Sequence, residues 1–216
     1  MKIIIPARGG SKRIPDKNIT SLNGNPLISY AIKASLEVTD EVYVSTDSET
    51  IAGVARECGA KTLKRPKEMS TDFSPTNLAI EHFLSSVEDI NYFACVQATS
   101  PLLTSVYLQK AIEKIKESDY DSIISVVESI GFYWNSSRQP INFTRNKRPR
   151  TQDMRKWYAE NGAFYLTSKE RFLTTNNLIN GSVGFIEIPK ALSFEIDTYE
   201  DLFIIESIMK NSRKVL

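Results

Sequence analysis

The first residues able to do phosphate chemistry are packed into one short run, Ala7-Arg8-Gly9-Gly10-Ser11-Lys12-Arg13-Ile14-Pro15-Asp16-Lys17-Asn18. Two adjacent glycines let the backbone turn sharply and present N–H groups outward, and the cations around them would neutralise a bound anion. Such a loop suits a polyphosphate. It is neither GxxxxGK[ST] nor the GxGxxG dinucleotide fingerprint. A second cationic run holds Arg145, Lys147, Arg148, Arg150, Arg155 and Lys156, and an arginine fork can grip a carboxylate through two parallel hydrogen bonds. Near the end of the chain, Glu195 and Asp197 lie two apart. On an extended stretch both carboxylates point the same way and can face one Mg²⁺, which takes carboxylate and phosphate oxygens together.

The net charge conceals this arrangement. Over 216 residues the formal charge is only +1. Residues 1–20 carry a net +4 and residues 144–156 a net +5, so the remaining 183 sum to −8. Two cationic islands on an acidic body favour a small, highly charged ligand over a long polyanion, which needs a broad basic face. The KRPR run at 147–150 lacks interleaved aromatics, and nucleic acid is not expected as a partner. With 41% hydrophobic and 25% charged residues the chain can build a sizeable core. The single histidine, His82, lies in a helical pattern and reads as structural, which removes multi-histidine metal sites. Cys58 and Cys95 show no paired spacing and read as buried thiols of a reducing compartment. No apolar run approaches the ~20 residues of a membrane span, and none near the start suits a signal peptide. A cytoplasmic location is expected.

The elements that must position these residues alternate. Strands are predicted at 2–6, 41–46, 92–97, 122–127, 162–167 and 183–188. Helices are predicted at 26–36, 48–58 (with Asp47 as N-cap and Gly59 closing), from Ser74-Pro75 to about 87, from the cap Thr104 to about 117, near 168–174, and at 199–210 behind Thr198. In the fourth helix Val106, Ala111, Ile112 and Ile115 share a predicted inner face. Between 128 and 155 the rhythm breaks into a strand-and-loop flap. The pattern implies one α/β domain over 1–216, a three-layer, mostly parallel Rossmann-like sheet, with residues 130–156 as an inserted flap. Ligands of such sheets sit beyond the carboxyl ends of the strands.

Taken in order, the motifs resemble a known family. ARGGSKRIPDKN after the first strand is similar to the nucleotide loop of the acylneuraminate cytidylyltransferases (CMP-sialic acid synthetases). Ser45-Thr46-Asp47, then Arg65-Pro66 with Asp72 and Ser74-Pro75-Thr76, then Gln97-Ala98-Thr99-Ser100-Pro101-Leu102 follow the family's order. So do Lys147-Arg148-Pro149-Arg150-Thr151-Gln152-Asp153, Glu160-Asn161-Gly162-Ala163-Phe164-Tyr165 and Glu195-Ile196-Asp197-Thr198.

The resemblance implies a nucleotidyltransferase fold and transfer of CMP from CTP to the anomeric hydroxyl of a 2-keto-3-deoxy sugar acid, with release of pyrophosphate. It implies catalytic roles for Arg8, Lys17 and Asp197, and nucleotide contacts from Arg8, Ser11, Lys12, Asn18, Arg65, Ser74 and Thr76. Gln97, Arg150, Asn161 and Tyr165 would meet the sugar, with Arg150 on its carboxylate and Arg148 close enough to be confused with it. Asp197 and Glu195 would hold Mg²⁺; many relatives have Asp at the first of these positions, so Glu195 ligates directly, through water, or only supports. No residue stands out as the general base. The family's 3-deoxy-manno-octulosonate enzymes carry an acidic residue in the loop where this chain has 97–101, which favours a nine-carbon acid. Sialic, deaminated and legionaminic-type acids stay open, as does a non-catalytic nucleotide-sugar binder. The family forms homodimers in which the flap reaches the neighbouring site, and a homodimer is expected.

Overall fold

A computed structural model describes residues 1–211. Its centre is a seven-stranded sheet. The strands are β1 (Lys2–Pro6), β4 (Val42–Thr46), β5 (Lys61–Lys64), β6 (Tyr92–Val96), β7 (Ser122–Ser129), β8 (Trp157–Ser168) and β9 (Val183–Glu187), and a two-stranded ribbon pairs β2 (Ser21–Leu22) with β3 (Asn25–Pro26). The helices are α1 (Leu27–Leu36), α2 (Glu49–Glu57), α3 (Thr76–Ser86), α4 (Ser105–Glu117), α5 (Lys169–Thr175) and α6 (Tyr199–Lys210). The spatial order is β5-β4-β1-β6-β8-β7-β9. Neighbours are parallel except where β8 runs antiparallel to both β6 and β7.

β1 shows how the layers form. Successive side chains of a strand point to opposite faces. Ile3 and Ile5 therefore enter a core built with α1, α2, α4 and α6, while Ile4 enters the opposite core with Ile80 and Phe83 of α3 and Phe172 of α5. All three isoleucines are fully buried. A strand covered on both faces must be apolar throughout, which explains the unbroken Ile-Ile-Ile run.

From β1 the chain crosses to β4 and β5 on one side and returns to β6 on the other. The crevice between the carboxyl ends of β1 and β6 is thus the switch point at which α/β sheets bind ligands.

The expected α/β architecture holds, with local corrections. The N-cap of α2 is Ser48, whose hydroxyl accepts from the Ile51 N–H; Asp47 is instead drawn to the first loop. Val106 is 55% exposed, and Leu108 takes its place on the inner face of α4. Cys95 is buried as expected but Cys58 only partly so. β8 starts at Trp157, five residues before the predicted start at 162. Two elements were unforeseen. β5 is an edge strand ending in lysine at both sides, a pattern that blunts pairing and gives little period-2 signal. The β2–β3 ribbon turns on Asn23-Gly24, both with positive φ, the usual two-residue hairpin signal.

Residues 130–156 form an irregular flap with isolated bridges Trp134↔Pro140 and Thr144↔Lys147. Its aromatics gather in space although they are scattered in sequence. Phe143 packs edge-on against Phe132 and Trp134, and the Arg148 guanidinium lies 3.9 Å from the Phe132 ring centroid.

Candidate active site

The loop after β1 is held at three points. The Ala7 N–H donates to the Ser45 carbonyl, and the Gly9 N–H donates to the Asp47 carboxylate at 2.9 Å. The Asn18 amide, itself buried, donates to the Arg8 carbonyl at 3.0 Å and closes the loop from behind. Gly10 sits at φ +67°, where a side chain would be strained. Asn18, assigned to the nucleotide from sequence, thus has a structural task that fixes the cations rather than contacting only the ligand.

These cations face a cleft of about 480 Å³, within the range of small-molecule sites. Arg8, Ser11, Lys12, Lys17, Asn18, Arg65, Ser74, Thr76 and Gln97 all line it. Every residue assigned to the nucleotide is therefore brought together, from segments up to 68 positions apart. Arg65 is 6% exposed, and its Nε and Nη2 have no hydrogen-bond partner. Burial holds its pKa below the ordinary arginine value, Asp47 opposes that, and Arg8 adds to it. Buried donors are nearly always paired, so an arginine in this state is built to meet an acceptor.

At the Arg13 and Lys17 side of the cleft stands the 195–197 segment. The Ile196 N–H donates to the Thr99 carbonyl at 2.8 Å, which ties this segment to the loop after β6. Lys17 donates to the Ile196 carbonyl and the Asp197 carboxylate, both at 3.0 Å, and Arg13 pairs with Asp197 at 3.0 Å. The Asp197 N–H is taken by Asp201 in the capping box of α6, so the Asp197 side chain is left to the cations.

Glu195 is pushed above the usual carboxylate range by burial first and by Asp197 second, while Lys17 and Ser100 pull it down. The Glu195 carboxylate also lies against the Cα of Gly162, where an added methyl would collide with it. Glu195, half-buried, and Asp197, whose charge it feels, form a hard, oxygen-rich donor pair, and that chemistry fits a divalent cation shared with phosphate oxygens.

An irregularity in β8 sets the remaining residues. Tyr165 pairs with Ile124 but Glu160 pairs with Val126, so residues 161–164 stand opposite Ser125 alone. Bulges of this kind re-aim side chains beside active sites. Here the bulge turns Gly162 to φ +68° and buries Asn161, whose amide oxygen and nitrogen both lack partners. Tyr165 donates to Glu160 at 3.3 Å, and burial, reinforced by Glu160 and Glu195, pushes its phenol up to about 12. Gln97 alone of the residues assigned to the sugar lines the cleft. Arg150 stands apart on the flap, 74% exposed and paired with Asp153 at 2.7 Å. Sequence reasoning missed Arg13 as a partner of Asp197, and Asp72, which bridges Arg8 and Lys12 across the cleft. Arg13 lies in the 7–18 loop and Asp72 just before Ser74-Pro75-Thr76, but pairing across 184 and 64 positions leaves no local pattern.

Residues 2–212 match the family model described as cytidylyltransferase. The chain belongs to the cytidylyltransferase family. Among its cytidylyltransferase relatives, it is 39% identical to N-acylneuraminate cytidylyltransferase A of Danio rerio over 203 residues, 90% of this chain and 47% of that protein. It is 34% identical to the pseudaminic acid cytidylyltransferase of Campylobacter jejuni subsp. jejuni serotype O:2 over 212 residues, 92% of this chain and 91% of that one. The chain spans about half the length of the first of these relatives and of a second Danio rerio protein, N-acylneuraminate cytidylyltransferase B. Its fold matches that of CMP:2-keto-3-deoxy-manno-octonic acid synthetase complexed with CTP, at a TM-score of 0.75 and 17% identity over 98% of both chains.

Proposed function

We propose that the chain transfers CMP from CTP to the anomeric hydroxyl of a nonulosonic (sialic-type) acid, giving a CMP-sugar and pyrophosphate. The observation that carries this reading is the buried Arg65, its Nε and Nη2 without partners, lining one cleft with the cations of the loop after β1. The fixed donors of Arg65 suit the acceptor edge of a pyrimidine, since an apolar slot separates cytosine from uracil poorly. Arg8, Ser11, Lys12 and Lys17, which line the same cleft, suit a triphosphate.

Nucleotidyl transfer needs little covalent help and much charge neutralisation around the α-phosphate and the departing pyrophosphate. In this reading Arg65, with Ser74 and Thr76 beside it, orients the base. Arg8 and Lys12 hold the terminal phosphates. Lys17, anchored to the Ile196 carbonyl and Asp197, neutralises charge next to the 195–197 segment. Asp197 and Glu195 would hold Mg²⁺. When bound, that ion supplies positive charge to the phosphate oxygens and lowers the pKa of an adjacent hydroxyl. Gln97, Asn161 and Tyr165 would contact the sugar, the unpaired Asn161 amide being ready to meet a hydroxyl or acyl group.

The sugar's carboxylate would be gripped by Arg150 across a homodimer interface. Support comes from the position of Arg150 outside its own cleft, and from the exposed apolar surface of Ile130, Trp134, Ile141 and Trp157 at the flap. Free thiols, and the absence among the described residues of any helix long and apolar enough to cross a membrane, agree with a cytoplasmic enzyme.

The test is pyrophosphate release from CTP and Mg²⁺ with a panel of acids: N-acylneuraminate, its deaminated form, legionaminic-type and pseudaminic acids, and 3-deoxy-manno-octulosonate. Release with a nine-carbon acid is expected. Silence across the panel refutes the activity, and tight CMP-sugar binding without turnover would leave the non-catalytic binder.

A further inference from the structure

We propose that Asp72 is a latch that occupies the phosphate-binding positions of the cleft with its own carboxylate, and that the triphosphate of CTP must displace it. This rests on the reading of the cleft as a CTP site. One Asp72 oxygen pairs with the Arg8 guanidinium at 2.8 Å and the other with the Lys12 ammonium at 2.5 Å. Those are two of the four cations with which the loop after β1 lines the cleft, the other two, Arg13 and Lys17, being paired with Asp197. A carboxylate bridging Arg8 and Lys12 lies where phosphoryl oxygens would lie, and both cannot be there together.

The segment that carries the latch can release Asp72 by its side chain alone and keep Ser74 in the cleft. Its turn closes on itself: the Ser74 N–H donates to the Thr71 carbonyl at 3.1 Å, and the Thr71 N–H donates to the Ser74 hydroxyl at 3.0 Å. Phe73 at its tip is 92% exposed and contributes no core packing. Across the cleft, this turn is tied to the cation loop by the two ion pairs and by Lys12, which lies 5.9 Å from the Phe73 ring centroid. Release therefore breaks ion pairs and leaves the fold intact. Asp72 is held below the ordinary carboxylate pKa by Lys12 and Arg8, so it stays charged throughout the neutral range.

The exchange is ionic and forms no covalent bond. A triphosphate brings several charges against the single charge of Asp72 and wins. A monophosphate competes less well, and as pyrophosphate departs the carboxylate returns. The latch thus raises the threshold for weak anions and favours product release.

The experiment is calorimetric titration of wild-type protein and Asp72→Asn with CTP, cytidine and inorganic triphosphate at fixed ionic strength. Removing two partly exposed ion pairs that compete with the ligand should tighten CTP and triphosphate by about tenfold and leave cytidine unchanged. Asp72→Ala, which also removes hydrogen-bonding capacity, should change binding in the same direction. Unchanged or weaker triphosphate binding in both variants would make Asp72 a preorganising counter-ion and overturn the latch. An equal shift for cytidine would overturn it too. Inorganic triphosphate keeps the two readings apart: wild-type protein that takes no CTP refutes the proposed activity, while the triphosphate ratio still judges the latch.

Discussion

Glu195 carries the least comfortable charge of the site. Burial and Asp197 raise its pKa, so the folded protein holds this proton more tightly than the unfolded chain does. In the window from the ordinary carboxylate value up to the raised one, the native state binds more protons, and stability falls as pH rises. Thermal melts in the absence of divalent ions should show this slope in wild-type protein and not in Glu195→Gln, which should melt higher at neutral pH. Identical slopes would mean that the site relaxes its burial in solution. The residue types at 195 and 197 were legible in sequence, as were the cations of the loop. What could not be read was the counter-charge: Arg13 and Lys17 meet Asp197 only because α6 starts beside the loop after β1.

At the scale of elements, the helix ends and the strands buried on both faces were plain from pattern. The cap at Thr198 and the 199–210 span of α6 were both foreseen. The first part of β8, before residue 162, was not, because its bulge spoils the alternation by which strands are recognised, and that same bulge brings Gly162 under Glu195. Gly162→Ala should cost roughly 1–2 kcal/mol from the positive φ alone. It should lower the melting temperature by about 2–8 °C for a chain of this size. It should also cost far more activity than that loss of stability explains, because Glu195 must move aside. Circular dichroism melts and turnover together test this; a variant that melts lower yet turns over normally would show that the Glu195 position is not critical.

For the whole molecule, a formal charge of +1 describes no part of it well. The +4 island lines the cleft, whereas the +5 island sits on the flap, away from the cleft of its own chain. A second copy would bring the two together. Light scattering should find a dimer. Trp134→Glu, placed on the 49%-exposed flap aromatic, should give a folded monomer with most of its activity lost. A fully active monomer would show that each chain grips its sugar alone. The flap was also the least legible region, since its order comes from aromatics meeting around arginines rather than from any period.

The bond from Lys17 to Asp197 spans 180 positions of sequence. During synthesis the cationic loop and the first strands leave the ribosome long before Asp197 exists. A nascent chain can set Asp72 against Arg8 and Lys12, but Arg13 and Lys17 wait for Asp197, and the carboxylate pair arrives only with the segment that starts α6. The centre therefore comes into being in one late step, and prematurely ended chains, however well folded their first strands, would be inert.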